Sequence, residues 1–372
     1  MIGVLGYVFV SQGMAAQTDS IAATHELKDV VVKATNGIKS KYRVDNADII
    51  GQGQLIRAAC CNLGESFVAN PSVDVSYSDA ATGAKQIKLL GLSGTYVQML
   101  TENVPNLRGA SLPYSLGYVP GPWMQSIQVS KGASSVKNGY ESTTGQINIE
   151  FLKPQGTDGL RANIYQDSEL KTEVNLDGSI HLTDRLSTST LLHFENRQTD
   201  HDGNGDGFMD MPKLRQYNVM HRWAYVSPRW ISQLMLRGLH DEREGGQSQK
   251  HADIFSSEPL YSTSVKTNRY EMQWKNGFTL NADHNTSVAL MLHGSWHDAE
   301  NRFGLTRYDV TQKNGYAQLM FETDVTANHN ISVGASLNYD RYDERFNPLG
   351  TKPNPETSVT GETTPGLYAQ YT

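Results

Sequence analysis

The feature that most restricts this chain is a texture that sets in near residue 160 and runs to the last residue. From there, segments that alternate apolar and polar side chains follow one another, most of them longer than the ~5–6 residues usual for a soluble strand. They read as strands over 160–168, 171–182, 186–197, 214–226, 230–242, 265–280, 285–298, 313–324, 329–342 and 365–372. The connections at 183–185, 227–229, 281–284 and 325–328 are short turns, whereas those at 198–213, 243–264, 299–312 and 343–364 are long and polar. Short and long ends therefore alternate. An up-and-down transmembrane barrel sorts its loops in this way because its two rims face different compartments. A soluble antiparallel sandwich with one wet face has no reason to do so.

The side-chain parity agrees with a barrel wall. Ile331, Val333, Ala335, Leu337 and Tyr339 share one face of their strand, opposite Ser332, Gly334, Ser336 and Asn338. Val288, Leu290, Leu292 and Trp296 likewise stand opposite Ser287, Ala289, Met291 and His293. The first set of each pair would meet lipid, and the second would line a polar lumen. Only 38% of residues are hydrophobic, which fits a wall in which alternate residues face lipid. No interior stretch approaches the ~20 apolar residues of a spanning helix. The net charge of −7 argues against nucleic acid, whose phosphates call for a basic face.

The first 150 residues are different. Residues 1–16 combine a short apolar run with small residues near Ala15 and Ala16, which reads as an export signal lacking its basic start; a short buried strand is the alternative. Residues 17–50 form a polar leader interrupted by Asp29, Val30, Val31, Val32, Lys33 and Ala34, a β-branched run able to pair as an added strand with a partner's sheet edge. A disordered leader or an edge strand is the alternative there. Residues 51–153 read as a small α+β domain, with a helix over 54–69 carrying Leu55, Ala58, Ala59, Leu63 and Phe67 at helical spacing. Gly132 and Gly139 follow Lys131 and Asn138 in turns that call for positive φ, and Gly145 lets the backbone enter the strand over 146–150. Lys153 and Pro154 mark the boundary to the strand-rich part, 154–372.

Three constellations could carry chemistry. Asp202, Asn204, Asp206 and Asp210 alternate with glycines in a long loop, the oxygen-rich spacing that suits structural calcium, although Lys213 stands where an EF-hand would place its final Glu. A solvated Gly-Asp loop is the equal alternative. Cys60 and Cys61, the only cysteines, could be soft metal ligands, a vicinal disulfide or two small residues on the helix. His201, Met209, Met211, Met220 and His221 raise copper as a minor idea, without a motif. No nucleophile elbow, phosphate loop or zinc signature is present, so an enzyme is not expected.

Residues 70–77, 85–92 and 97–105 resemble, in order, successive plug segments of TonB-dependent outer-membrane receptors. Leu90 stands before Gly91 where the family usually has Arg, and Thr101, Glu102 and Asn103 occupy the place of an Asp-Gly turn. Residues 126–149 are similar to the plug's closing signature, and Asp29 to Ala34 resemble the TonB-contacting box. The resemblance implies a mainly β chain: a small α+β plug followed by about ten antiparallel strands of a barrel that has 22 in the family, the remainder lying beyond this sequence. It also implies the outer membrane of a Gram-negative bacterium, lipid and periplasmic TonB as partners, no required cofactor, and gated import of a scarce metal chelate or cofactor. Siderophore-bound iron or cobalamin is the leading substrate expectation, with a copper complex behind it. A passive porin or adhesin barrel and a secreted β-rich binding protein are the rival readings.

Overall fold

The computed structural model describes residues 4–10, 47–58, 61–68, 70–132, 136–139, 141–156, 159–250, 259–283, 285–326, 329–350 and 355–372. Asp29, Val30, Val31, Val32, Lys33, Ala34 and Cys60 lie outside these residues.

Strand β1 (Val4–Val10) stands apart from the elements that follow it. The inner domain then contains β2 (Ala47–Gly51), helix α1 (Gln52–Arg57), β3 (Val73–Asp79), β4 (Ala84–Leu89), β5 (Leu92–Ser93), β6 (Val97–Thr101), β7 (Val104–Pro105), β8 (Met124–Lys131) and β9 (Gly145–Phe151). Its main sheet has the order β2-β8-β9-β6-β7, with β6 parallel to β9 and the other pairs antiparallel. A smaller sheet, β3-β4-β5, packs beside it. The apolar rows Ile127 and Val129, Ile147 and Ile149, and Val97 and Met99 meet in one buried cluster with Trp123 and Phe151.

The expected helix over 54–69 is broken. α1 ends at Arg57, and a separate 3-10 turn covers Leu63–Phe67. Between them the backbone is captured by the segment around Pro120: Leu63 N–H donates to Val119 O at 3.0 Å, and Cys61 O accepts from Gly121 N–H at 2.9 Å. The Asn62 side chain accepts from Glu65 N–H and so caps the second turn. Leu55, Leu63 and Phe67 are all buried, so the apolar spacing reports burial although the helix is not continuous.

The wall consists of β10 (Gly159–Gln166), β11 (Thr172–His181), β12 (Leu186–Arg197), β13 (Lys213–Val226), β14 (Trp230–Gly246), β15 (Ser262–Asn281), β16 (Thr286–Phe303), β17 (Thr306–Thr326), β18 (His329–Asn347) and β19 (Glu356–Tyr371). Each is antiparallel to the next. β1 adds an edge to this eleven-stranded sheet, with Val4 opposite Gln166 and Val10 opposite Leu160. Ala15 and Ala16 lie outside the described residues.

Two expected loops, 299–312 and 343–364, are largely strand. β16 and β17 run on to meet at a two-residue turn, Gly304 and Leu305, and β18 and β19 extend to Asn347 and Glu356. One face of the β16–β17 extension is charged, with Glu300, Arg302, Arg307 and Asp309, and the other mixes Ala299 and Val310 with the polar Asn301. The extensions carry only a broken apolar alternation, and alternation is the signal by which strands are recognised. Among the described residues, the long connection after β12 stays outside the strands.

Parity holds along the wall. On β13, Gln216, Asn218, Met220 and Arg222 are buried on the inner face, while Tyr217 and Val219 are exposed on the outer one. Outer aromatic residues form two bands. One contains Phe194 and Tyr217, and Tyr270 stacked on Trp296; the other contains Tyr225, Trp230 and Phe278. Tyr270 and Phe278 lie on one strand eight residues apart, about 27 Å along the chain at ~3.4 Å per residue. At ~40° tilt the bands are about 20 Å apart along the membrane normal, close to the ~25 Å apolar height of an outer-membrane barrel.

Candidate functional site

The inner domain sits against the concave face of the wall, and the two are joined mainly through buried polar contacts. At their centre is Glu102, in the β6–β7 turn, where Glu102 and Asn103 both take positive φ (51° and 67°). Its fully buried carboxylate meets Arg222 of β13 at 2.7 Å, Lys275 of β15 at 2.8 Å and Lys153, just after β9, at 2.5 Å. Burial opposes ionisation of this group, but the Arg222, Lys275 and Lys153 charges outweigh it and hold the carboxyl well below its usual range. Arg222 also donates to Leu152 O at 2.9 Å, so one guanidinium binds both the turn and the chain leaving the domain.

A second cluster lies nearer the long-loop end. Arg237 donates to Tyr118 O and, at 3.1 Å, to Asn218 Oδ1, and pairs with Glu271 at 3.3 Å. Arg269 bridges the same Glu271 at 2.6 Å and Asn106 Oδ1 at 2.7 Å. Asn218 donates to Tyr118 O at 2.7 Å, and Gln216 to Gly117 O at 3.1 Å. Apolar contact adds to this: Leu191, Met220, Met235 and Leu239, from β12, β13 and β14, belong to the same buried cluster as the inner domain's own core.

Above these contacts, at the long-loop end, a cavity of about 340 Å³ opens between the inner domain and the wall. Three tyrosines line it, each faced by a cation: Lys85 over Tyr77 at 5.2 Å, Arg243 over Tyr114 at 5.1 Å and Lys171 over Tyr165 at 6.0 Å. Arg197, Glu65, Asp167, Glu169 and Glu195 complete its charged lining. A pocket of aromatic faces and fixed charges at the boundary of two units is a place to hold a small polar ligand.

No family model and no curated protein matches this sequence, but the fold matches solved structures. The alcaligin outer membrane receptor FauA from Bordetella pertussis aligns over 89% of this chain and 52% of its own, at a TM-score of 0.68 and 11% identity. The copper transporter OprC aligns over 87% and 52%, at 0.70 and 12%. The ferric citrate transporter FecA aligns over 88% and 54%, at 0.62 and 14%. This chain has the plug-and-barrel fold of TonB-dependent outer-membrane receptors. At such identities the likeness is one of fold, and the chain spans about half the length of these receptors.

The plug's expected turn glycines are at positive φ: Gly91 at 79°, Gly132 at 81° and Gly139 at 112°. Gly145 is fixed by space as well, since a Cβ there would lie 2.2 Å from Ser130 O. In the loop after β12, Asp202 accepts from Gly205 N–H at 2.7 Å and Gly207 N–H at 2.9 Å, Asp206 from Phe208 N–H at 2.8 Å, and Asp210 from Gly203 N–H at 2.8 Å. Asn204 accepts from Asp206 N–H. These oxygens order the loop through its own amides, and among the described residues no group of three or more His, Cys, Asp or Glu side chains is gathered as a metal site.

Of the residues behind the copper idea, Met220 is buried against the plug, whereas His221 points to the outer face against Trp223. Cys61 is buried beside the cavity, and burial pushes its thiol pKa up, with the Glu65 and Glu173 carboxylates adding to the effect. A thiol held protonated is a poor soft-metal ligand. Sequence reasoning missed Glu102 and its cations, because their positions, 102, 153, 222 and 275, share no local pattern.

Proposed function

We propose that this chain is the plug and part of the barrel of an outer-membrane importer that takes up a metal chelate and is gated by TonB. The observation that carries this reading is the combination of a plug locked to the wall at Glu102 with a tyrosine-and-cation cavity above it. Substrate binds in the cavity from the extracellular side. The box formed by Asp29, Val30, Val31, Val32, Lys33 and Ala34 pairs with TonB in the periplasm by strand addition. Pulling on it loads the plug and breaks the ion pairs of Glu102, which opens a route past the plug.

The substrate class in this reading is a scarce metal chelate or cofactor, with siderophore-bound iron or cobalamin foremost. A cavity of about 340 Å³ lined by aromatic faces and fixed charges supports a polar ligand of that class. The ferric citrate and alcaligin receptors among the fold neighbours support iron. Structural calcium in the loop holding Asp202, Asn204, Asp206 and Asp210 is an accessory part of the proposal.

The test is growth of a strain deleted for the full-length gene on limiting iron, cobalamin or copper sources, complemented with the native gene or with its Val31→Pro form. Proline removes a backbone donor and prevents the added strand from pairing. Complementation by the native gene and not by the variant is expected on one source. Equal rescue by both would point instead to passive diffusion through a porin-like barrel.

A further inference from the structure

The cavity between the plug and the wall is lined by four cations, Lys85, Lys171, Arg197 and Arg243. Three of them already have acidic partners. Lys171 lies between Glu173 at 2.6 Å and Glu195 at 3.1 Å. Arg243 is paired with Asp241 at 2.7 Å, and Lys85 faces Glu65 at 3.9 Å as well as the Tyr77 ring. Arg197 is different. It is only 8% exposed, yet among the described residues no carboxylate pairs with it. Its Nε and Nη2 donate to one neutral acceptor, Pro212 O, at 3.1 and 2.9 Å. A guanidinium is a rigid planar fork of N–H donors, so the edge formed by Nη1 and Nη2 still has bonds to give.

The acids around the cavity are committed elsewhere. Glu195 is held by Lys171. Glu65 accepts from Cys61 N–H and from Asn62 Nδ2, each at 3.0 Å. Asp167 accepts from the N–H groups of Glu169 and Lys171 at 2.9 and 3.0 Å. Glu169 makes no ion pair among the described residues, but it is partly exposed in the turn between β10 and β11, where water solvates a carboxylate. A guanidinium withdrawn from water lacks that recourse, because a buried charge is stable when it is paired.

We propose that Arg197 sets the specificity of this cavity: its second edge receives the two oxygens of a carboxylate, or of a similar oxyanion, on the ligand, and the substrate is therefore an anionic chelate. The inference rests on the importer reading for calling the ligand a substrate, and it narrows that reading to ligands that present an oxyanion. The surroundings prepare Arg197 for this task. Arg197 ends β12 and Pro212 immediately precedes β13, so their bond spans the base of the loop and fixes the plane of the guanidinium. Pro212 in turn rests on the plug, since a Cβ at Gly83 would lie 3.0 Å from Pro212 Cγ. A fork held in this way loses little freedom on meeting a carboxylate, and its paired bonds are more directional than those of a lysine.

The experiment is calorimetric binding to the purified full-length receptor in detergent, with ferric citrate and metal-free citrate as carboxylate probes and a neutral ferric trihydroxamate as the comparison. Citrate is expected to bind saturably and more tightly than the trihydroxamate. Arg197→Gln should weaken citrate binding about tenfold or more. Gln keeps a donor for Pro212 O, so the base of the loop stays tied. Arg197→Lys retains the charge without the fork and should recover only part of the affinity. Arg215→Gln removes an exposed cation from the outer face of the wall and should bind citrate as the native protein does. Equal citrate binding by the native protein and Arg197→Gln would overturn the proposal. Where that variant does not fold, the native protein decides alone: no saturable citrate binding, or a preference for the neutral chelate, would refute the assignment. None of these readouts needs TonB. Failure of growth complementation would therefore sink the importer reading without touching Arg197, and citrate binding indifferent to Arg197 would sink this assignment without touching uptake.

Discussion

Glu102 concentrates the plug's attachment in one side chain. Replacing it with Gln removes the negative charge and leaves Arg222, Lys275 and Lys153 near one another without it, a loss of about 3–5 kcal/mol for a broken buried pair. The variant should release its plug to limited proteolysis at a denaturant concentration at which the native protein resists. The pH dependence has a defined sign. The folded pKa of Glu102 is depressed, so its contribution is present above the unfolded value of ~4.3 and is lost as pH falls below it toward the folded value. Plug protection should therefore decline in acid for the native protein and change less over that range in Glu102→Gln. Gly145 makes a separate test. A methyl group 2.2 Å from Ser130 O and 2.5 Å from Leu89 Cδ2 forces β8 and β9 apart, so Gly145→Ala should cost about 3 kcal/mol or more. A melting temperature unchanged from native would contradict that packing. Of these two residues the sequence exposed only the glycine, through its place in a turn pattern; a charge buried by residues 51, 120 and 173 positions away leaves no local trace.

Strands were legible where water and lipid impose opposite demands on the two faces, and illegible where they do not. The alternation of Ile331, Val333, Ala335, Leu337 and Tyr339 against Ser332, Gly334, Ser336 and Asn338 could be read directly. The upper reaches of β16 to β19 could not, because charged and polar residues dominate there and a polar strand has the composition of a loop. The helix expected over 54–69 failed for a different reason: backbone bonds to Val119 and Gly121 from distant sequence replaced local ones. The elements also set where a protease can cut. Residues 299–312 should resist, being paired strand around a two-residue turn, whereas the loop after β12 depends on its own aspartates. Asp202→Ala removes the acceptor of two amides, Gly205 and Gly207, at about 1–2 kcal/mol of local order. It should sharpen cleavage within 198–212, and an unaltered digestion pattern would show that other contacts hold the loop.

At the scale of the molecule, the plug and the wall do not have separate cores. Leu191, Met220, Met235 and Leu239 complete a cluster whose other members belong to the plug. The period-two pattern showed that these strands have an inner face, but not that part of this face is apolar and fitted to another domain, since buried apolar residues on a lumen-facing register read as exceptions to a polar rule. This shared core bears on how such a receptor is made. A plug released into the periplasm ahead of its barrel would present an open greasy side around Trp123 and Phe151 and would behave as a client for holding chaperones. Residues 47–156 produced alone, free of detergent, should accordingly bind a hydrophobic dye strongly and aggregate with time. A dye-silent, monodisperse fragment would mean that the plug can finish folding without its wall. If it cannot, the wall strands β12 to β14 act as part of the plug's folding template, and the order in which the membrane insertion machinery receives the two becomes a constraint on the sequence of both.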